Sequence, residues 1–356
     1  MHPVNHHKIQ RGFTLIELIV SLTIMATLAT VLIRSSVGLQ DQSRYEQTVG
    51  QFNKIKSAIV NVQTVNGVPL VNGFLADMGR LPISLSELLS MPLCSDGIST
   101  SQAICTGNSG YWYGWQQDLA SGLWYGWHGP YLQSNYAVSA TYALSDGWGN
   151  QSSDCLSGCN YGWNYSADNT FVTGVTLQSY GSSGASGQHS PADYTALYPD
   201  TSSLPALAAQ DLSIDLGSTA VMVNLMQTDA CSGASCPTVC LNIYYRYYDT
   251  GVSTTQIGVA TAASINKVAP SSGGVSQQLY FMGGFHFYST STSSTPPSLL
   301  PVGQNAISIT NANSIGHCDN STYSSGYYPI SRFPSGSGTP LPQTFMPRLS
   351  TLIFNW

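Results

Sequence analysis

The longest apolar run lies at the start of the chain. From Phe13 to Ile33 a single charged side chain, Glu17, interrupts it. At about 1.5 Å per residue this is roughly 31 Å of helix, matching a hydrocarbon core of roughly 30 Å. Beyond it the period continues on one face only. Tyr45, Val49, Phe52, Ile55, Ile59 and Val62 recur at steps of three and four, a single apolar stripe on a helix. Gln51, Asn53, Lys54 and Lys56 fill the other faces, and Asn66-Gly67 with Pro69 ends the pattern. It predicts a transmembrane segment over 13–33 continued by an amphipathic stem over 34–66.

From Val68 onward the helical period gives way to short segments and turns. "SLSELL" predicts a short helix capped by Ser84 with Glu87 three positions on. "YAVSATYAL", "YGWNYS" and "TFVTGVTLQSY" predict strands, and "GSSGASGQHSPAD" a loop. Beyond Pro191 follow the strand candidates "TAVMVNLM", "VCLNIYYRYYD", "QLYFMGGFHFY", "AISIT" and "STLIFNW", separated by stretches rich in Ser, Thr, Pro and Gly. The predicted class is α+β: a long N-terminal helix packed on a small antiparallel sheet, followed by a mostly antiparallel β region. About 320 residues beyond the apolar run exceed a comfortable single core and predict two folded units. Their boundaries are 67–193 and 194–356.

Charge orients the apolar run. Lys8, Arg11 and three histidines precede it and Arg34 follows, so the N-terminus stays cytoplasmic and the long polar remainder crosses. A cleaved secretory signal is the competing reading, but "VLIRSSVG" is a poor small-residue cleavage site. Charged residues make up 8% of the chain against a usual quarter. The 11 Lys+Arg are scattered and the net charge is −6, which excludes a nucleic-acid partner. The lipid bilayer is the partner that the pattern itself requires.

Eight cysteines, Cys94, Cys105, Cys155, Cys159, Cys231, Cys236, Cys240 and Cys318, all lie beyond the apolar run. Outside the cytoplasm they predict disulfides. Cys94–Cys105 and Cys155–Cys159 are the local pairs, since short loops close easily, and the other four pair within the C-terminal region. Cys231, Cys236 and Cys240 with His317 or Cys318 could instead furnish zinc ligands, but paired CxxC spacing is absent. His128, His189, His286 and His317 stand apart and match no zincin helix. With no nucleophile elbow or phosphate loop either, an enzyme is not expected. The Trp- and Tyr-rich stretch Tyr111–Tyr131 is read as core in preference to an exposed stacking surface.

Glu17 remains to be explained. A carboxylate deep in lipid costs on the order of 2.5–3.5 kcal/mol and is functional by default; close to the end of the run it could instead snorkel. The sequence around it decides. "RGFTLIELIV" resembles the processing site of the type IV pilin superfamily, which includes type IV pilins and type II secretion pseudopilins: a short basic leader ending in Gly12, then Phe13, then an apolar run with glutamate fifth. The resemblance implies that a prepilin peptidase removes leader 1–12 by cutting between Gly12 and Phe13 and methylates the new Phe13 amine. It also implies that Glu17 is an assembly residue, neutralising the amine of a neighbouring subunit where low dielectric strengthens the pair. Family members commonly carry a proline near the end of the run; Arg34 stands there.

A second resemblance, over about 68–193, is to the major pseudopilin of type II secretion. It rests on "GRLPISLSELL", "HGPYL", "SDGWGN" with Gly147 in place of proline, "YGWNY" and "LQSYGSSG", in the same order. It implies a pilin-like αβ head. The family's calcium loop is represented by "SYGSSGASGQHSPAD", where Ser183 replaces an aspartate and only Asp193 is retained. Calcium prefers several anionic oxygens, so no cofactor is expected, with calcium at Asp193 the weak exception. The implied function is that of a structural subunit, a pseudopilin or minor pilin of a type II secretion pseudopilus or related type IV filament. Its implied partners are the peptidase, other pilin subunits and the inner-membrane assembly platform. The implied location is the bacterial inner membrane, single-pass, with the C-terminal domains periplasmic or in the filament. The alternative is a filament-displayed head that recognises a glycan or a secreted substrate.

Overall fold

One helix, α1 (Leu15–Ile59), carries both the apolar run and the stripe. The computed structural model describes residues 14–133, 136–138, 141–148, 162–167, 174–181, 206–226, 239–263, 276–282, 284–289, 296–311, 318, 341–345 and 351–355. Helix α1 ends earlier than its sequence pattern predicts. Val60 is extended (φ −145°, ψ 122°), and β1 (Asn61–Val65) pairs antiparallel with β2 (Val68–Asn72). Asn66 and Gly67 join them with φ of +52° and +79°, the positive pair of a type I′ hairpin turn that Asn-Gly favours. What stops the stem at Ile59 rather than residue 66 is therefore hairpin chemistry. The β-branched residues Val62, Thr64 and Val65 reinforce it. Val62, expected on the helical stripe, lies on the hairpin and is 43% exposed.

After the hairpin, α2 (Phe74–Met78) buries Phe74, Leu75 and Met78 and ends at Gly79. Gly79 has φ +62°, and a Cβ there would come within 2.6 Å of the Arg246 backbone; both conformation and space demand glycine. Leu85–Leu88 form a 3-10 turn in which Ser84 makes no side-chain cap. The expected Ser84–Glu87 box is absent: the Ser84 hydroxyl pairs with Ser86 Oγ at 2.6 Å, while Glu87 accepts from Ile83 N at 2.8 Å and from Arg80 at 2.8 and 3.1 Å. Next come α3 (Gln102–Gly107) and the hairpin β3 (Gln116–Gln117)–β4 (Trp124–Tyr125). The single strand expected over 136–144 is instead a small hairpin, β5 (Tyr136–Val138) with β6 (Thr141–Ala143). Strands β7 (Trp163–Ala167) and β8 (Val175–Ser179) pair as another.

The C-terminal strands follow the short helix α4 (Ala209–Leu212). They are β9 (Ser213–Asp215), β10 (Ala220–Met226), β11 (Val239–Asp249), β12 (Thr254–Ala263), β13 (Ser276–Met282), β14 (His286–Ser289), β15 (Leu299–Pro301), β16 (Gly303–Asn311), β17 (Leu341–Phe345) and β18 (Thr351–Asn355). One sheet has the order β14-β12-β11-β16-β17 and a second β13-β10-β18; β9 pairs with β15. Pairing is antiparallel except between β10 and β18. "QLYFMGGFHFY" is thus two strands in two different sheets, divided near Gly284 at φ +65°.

The described residues share a large core that runs across the boundary expected at 193/194. Phe52, Ile55 and Ile59 of α1 lie in one apolar cluster with Phe74, Trp163, Val221, Leu241, Tyr245, Phe281 and Ile307. Polar bonds also cross it, including Thr255 Oγ1 to the Met78 carbonyl at 2.7 Å. Two disulfides are present among the described residues: Cys94–Cys105, with Cα atoms 5.8 Å apart, and Cys240–Cys318, 5.5 Å apart. Cys155, Cys159, Cys231 and Cys236 lie outside the described residues. Chain-entropy arithmetic assigns about 3 kcal/mol to the shorter loop and about 4.5 kcal/mol to the longer. Cys318→Ala is therefore expected to lower the unfolding midpoint more than Cys94→Ala, as urea denaturation would register. Equal effects would contradict loop closure as the source.

Candidate functional site

Thr14 and Glu17 build the N-terminal site from the backbone outward. Thr14 is extended (φ −76°, ψ 148°) and caps α1. Its Oγ1 accepts from Glu17 N at 3.4 Å, while its own N and Oγ1 donate to Glu17 Oε2 at 3.0 and 2.9 Å. This reciprocal box satisfies helix-end donors that no backbone carbonyl can reach. It also fixes the carboxylate at the N-terminal end of α1, where the helix dipole favours negative charge. Gly12 and Phe13 lie outside the described residues.

The helix beyond is suited to lipid. None of the window Leu15–Leu32 is buried within the chain, and Glu17 is its only charged residue. Its four hydroxyls are satisfied internally. Ser21 donates to Leu18 O, Thr23 to Val20 O, Thr27 to Ile24 O and Thr30 to Ala26 O, at 2.8–3.0 Å. A bilayer offers no water to such groups, so internal bonds lower the insertion cost. Glu17 is left as the one group there whose charge calls for a partner.

A second constellation lies between α2 and β11. Arg246 is 4% exposed; its Nε donates to Trp124 O at 2.6 Å and its Nη1 to Gln304 O. Burial lowers its pKa to about 10, opposed by the Asp77 carboxylate. Burial also raises the Asp77 pKa, opposed by a 2.8 Å bond from Tyr131 Oη and by the Arg246 charge. Nearby, Arg80 forms its forked pair with Glu87 between the rings of Phe74 and Tyr248, 5.0 Å from each centroid. Sequence reasoning passed over Arg246, Asp77 and Arg80. A legible signal was the lone arginine among the tyrosines of "NIYYRYYD", because a charge inside a buried strand requires a partner.

The aromatic stretch divides, which corrects the core reading. Trp127 packs against the main core and donates Nε1 to Glu87 O at 3.0 Å. Trp115, Trp124 and His128 instead form a surface stack: Trp115 lies 5.9 Å from Trp124 and 4.5 Å from His128, tilted by 14° and 16°. Trp124 is 44% exposed. Hydrophobic burial fails here because the short β3–β4 hairpin projects one face to solvent. Among the described residues, no three His, Cys, Asp or Glu side chains gather as a metal site. Asp193, the weak calcium candidate, and His317 lie outside them.

Residues 7–33 match the prokaryotic N-terminal methylation motif. The chain carries a type IV pilin-like prepilin motif. No curated protein and no solved structure matches the chain. The motif implies processing by prepilin peptidase and assembly with other pilin subunits, and proteins that carry it are generally structural. With the exposed apolar helix it fits a membrane-anchored, single-pass chain.

Proposed function

We propose that this chain is a structural filament subunit, a pseudopilin or minor pilin of a type II secretion pseudopilus or a related type IV filament. The prepilin motif over residues 7–33 carries the proposal, because it contains the unburied apolar stretch Leu15–Leu32, whose sole charge is Glu17. In this reading the peptidase cuts between Gly12 and Phe13 at the cytoplasmic face and methylates Phe13. The remainder is periplasmic or in the filament, anchored in the inner membrane and engaged by the assembly platform. The Cys94–Cys105 and Cys240–Cys318 bonds support an oxidising location for the head. Packing of Phe52, Ile55 and Ile59 on the head core supports a pilin-like stem, and the ordered "GRLPISLSELL" to "LQSYGSSG" motifs support the pseudopilin likeness. The large β region makes a repeating shaft position crowded and favours a minor or tip position.

Intact-mass analysis of membrane-extracted protein tests this reading. The expected mature chain begins at Phe13 with one added methyl group. A start beyond Ile33, as for a cleaved secretory signal, would sink it.

A further inference from the structure

The stack of Trp115, Trp124 and His128 has no part in anchoring or assembly through α1, yet the chain holds it in place with buried polar groups. Arg246 Nε fixes the Trp124 carbonyl. The Asp77 carbonyl accepts from Gly126 N at 3.1 Å, and the Asp77 carboxylate holds Tyr131 Oη, which accepts from His128 N at 3.1 Å. One end of the stack is thus tied through its backbone to the buried Arg246 and the other to the half-buried Asp77. These bonds fix the backbone that carries Trp124 and His128, and stacking on Trp115 restrains their rings, so a ligand has less freedom to remove.

The surroundings of the rings select the ligand. Side chains alternate along a strand, so Trp115 and Gln117 share a face, and Gln117 stands opposite Trp124 in the ladder. Gln117 Nε2 donates to Gly122 O at 3.1 Å, leaving its Oε1 as an acceptor beside the ring. The hairpin's carboxylate, Asp118, is occupied by Ser121 N and Oγ at 2.7 and 2.6 Å. Trp115 covers one face of Trp124, so the exposure of Trp124 belongs to its other face and its edge. An open aromatic face beside a neutral amide complements a pyranose: its C–H face stacks on the ring and its hydroxyls take the amide bonds. A nucleic acid would require cations to meet its phosphates, and the guanidinium of Arg246 is buried beneath the hairpin.

We propose that Trp115, Trp124, His128 and Gln117 form a carbohydrate-binding ledge, on which a neutral pyranose stacks against the open face of Trp124. The site is independent of the leader and Glu17.

The test uses the full-length chain in detergent micelles, titrated with cellohexaose, chitohexaose and maltohexaose. Binding is followed by tryptophan fluorescence and by saturation transfer from protein to sugar protons. Binding of at least one hexaose is expected, weakened at least about tenfold by Trp124→Ala and less by Trp124→Phe. The alanine variant keeps the carbonyl that Arg246 grips. Should it nevertheless unfold, Gln117→Ala decides, because that exposed side chain can be lost without disturbing the core; weaker binding supports the ledge. Failure of all three sugars to bind, or wild-type binding by the folded variants, overturns the proposal. So does a Trp124→Ala chain that stays folded but no longer enters filaments while the wild type binds no sugar, since the ledge is then a subunit interface. Membrane content and processing are expected to be unchanged throughout, so failure here leaves the filament reading intact.

Discussion

Arg246→Ala is expected to destabilise the folded chain by about 3–6 kcal/mol, about 1.5–3 kcal/mol for each of the two carbonyls that lose a charged donor. Three things are lost together. The carbonyls of Trp124 and Gln304 lose their donor, and Asp77 loses its counter-charge. The pH dependence separates the charge from the hydrogen bonds. Asp77 already has a raised pKa because of burial, so its ionisation opposes folding. That contribution to stability is fully favourable below the unfolded pKa and is lost as pH rises through the folded one. Without Arg246 the folded pKa rises further. The deficit of the variant should therefore be greatest at neutral pH and shrink on acidification through the raised Asp77 pKa, below which a protonated Asp77 needs no cation. Urea unfolding of wild type and variant across that range measures it. Adding Asp77→Asn to Arg246→Ala should recover part of the loss at neutral pH. A deficit that is small and flat with pH would mean that the pair contributes nothing beyond packing.

Glu17→Gln is expected to abolish filament incorporation while leaving membrane insertion intact. The capping box makes this substitution more informative than alanine. Glutamine can still accept from Thr14 as the carboxylate does, so the helix start survives and only the charge disappears. Thr14→Val is the reciprocal change: it removes the cap at a cost of about 1 kcal/mol and keeps the charge. If Glu17 neutralises the amine of a neighbouring subunit, Glu17→Gln and Glu17→Ala fail to assemble and Thr14→Val assembles. If Glu17 serves only the cap, Thr14→Val fails and Glu17→Gln assembles. Fractionation that scores membrane content separately from filament content distinguishes the two. Insertion of Glu17→Ala should equal or exceed wild type, because a carboxylate has been removed from the bilayer.

Local sequence by itself determined the features that rest on local chemistry or on a single solvent. A 21-residue apolar run from Phe13 to Ile33 predicts a helix in lipid, and residues 15–59 are one helix. The stripe Phe52, Ile55 and Ile59 is buried as its period requires, because one face of a helix meets the core. Strand β11 coincides with "VCLNIYYRYYD" because β-branched and aromatic residues suit a pleated, buried strand. Asn66-Gly67 was also a local signal, but one equally suited to a helix stop and a hairpin turn; β2 lying alongside β1 decided between them. Tertiary structure alone decided the rest, since each case depends on groups distant in sequence. "TTQIGVATAA" forms β12 by pairing along most of β11 and on to β14, although its own composition is plain. Glu87 binds Arg80, distant from it in sequence, as well as Ile83 N at the start of its own turn, because a buried guanidinium is costly to leave unpaired. The Cys240 partner lies 78 residues away at Cys318, a choice that short-loop entropy cannot foresee. Whether a tryptophan is core or surface was settled last. Trp127 found a core to pack on and Trp124 did not, because burial is a property of what stands opposite a side chain in space.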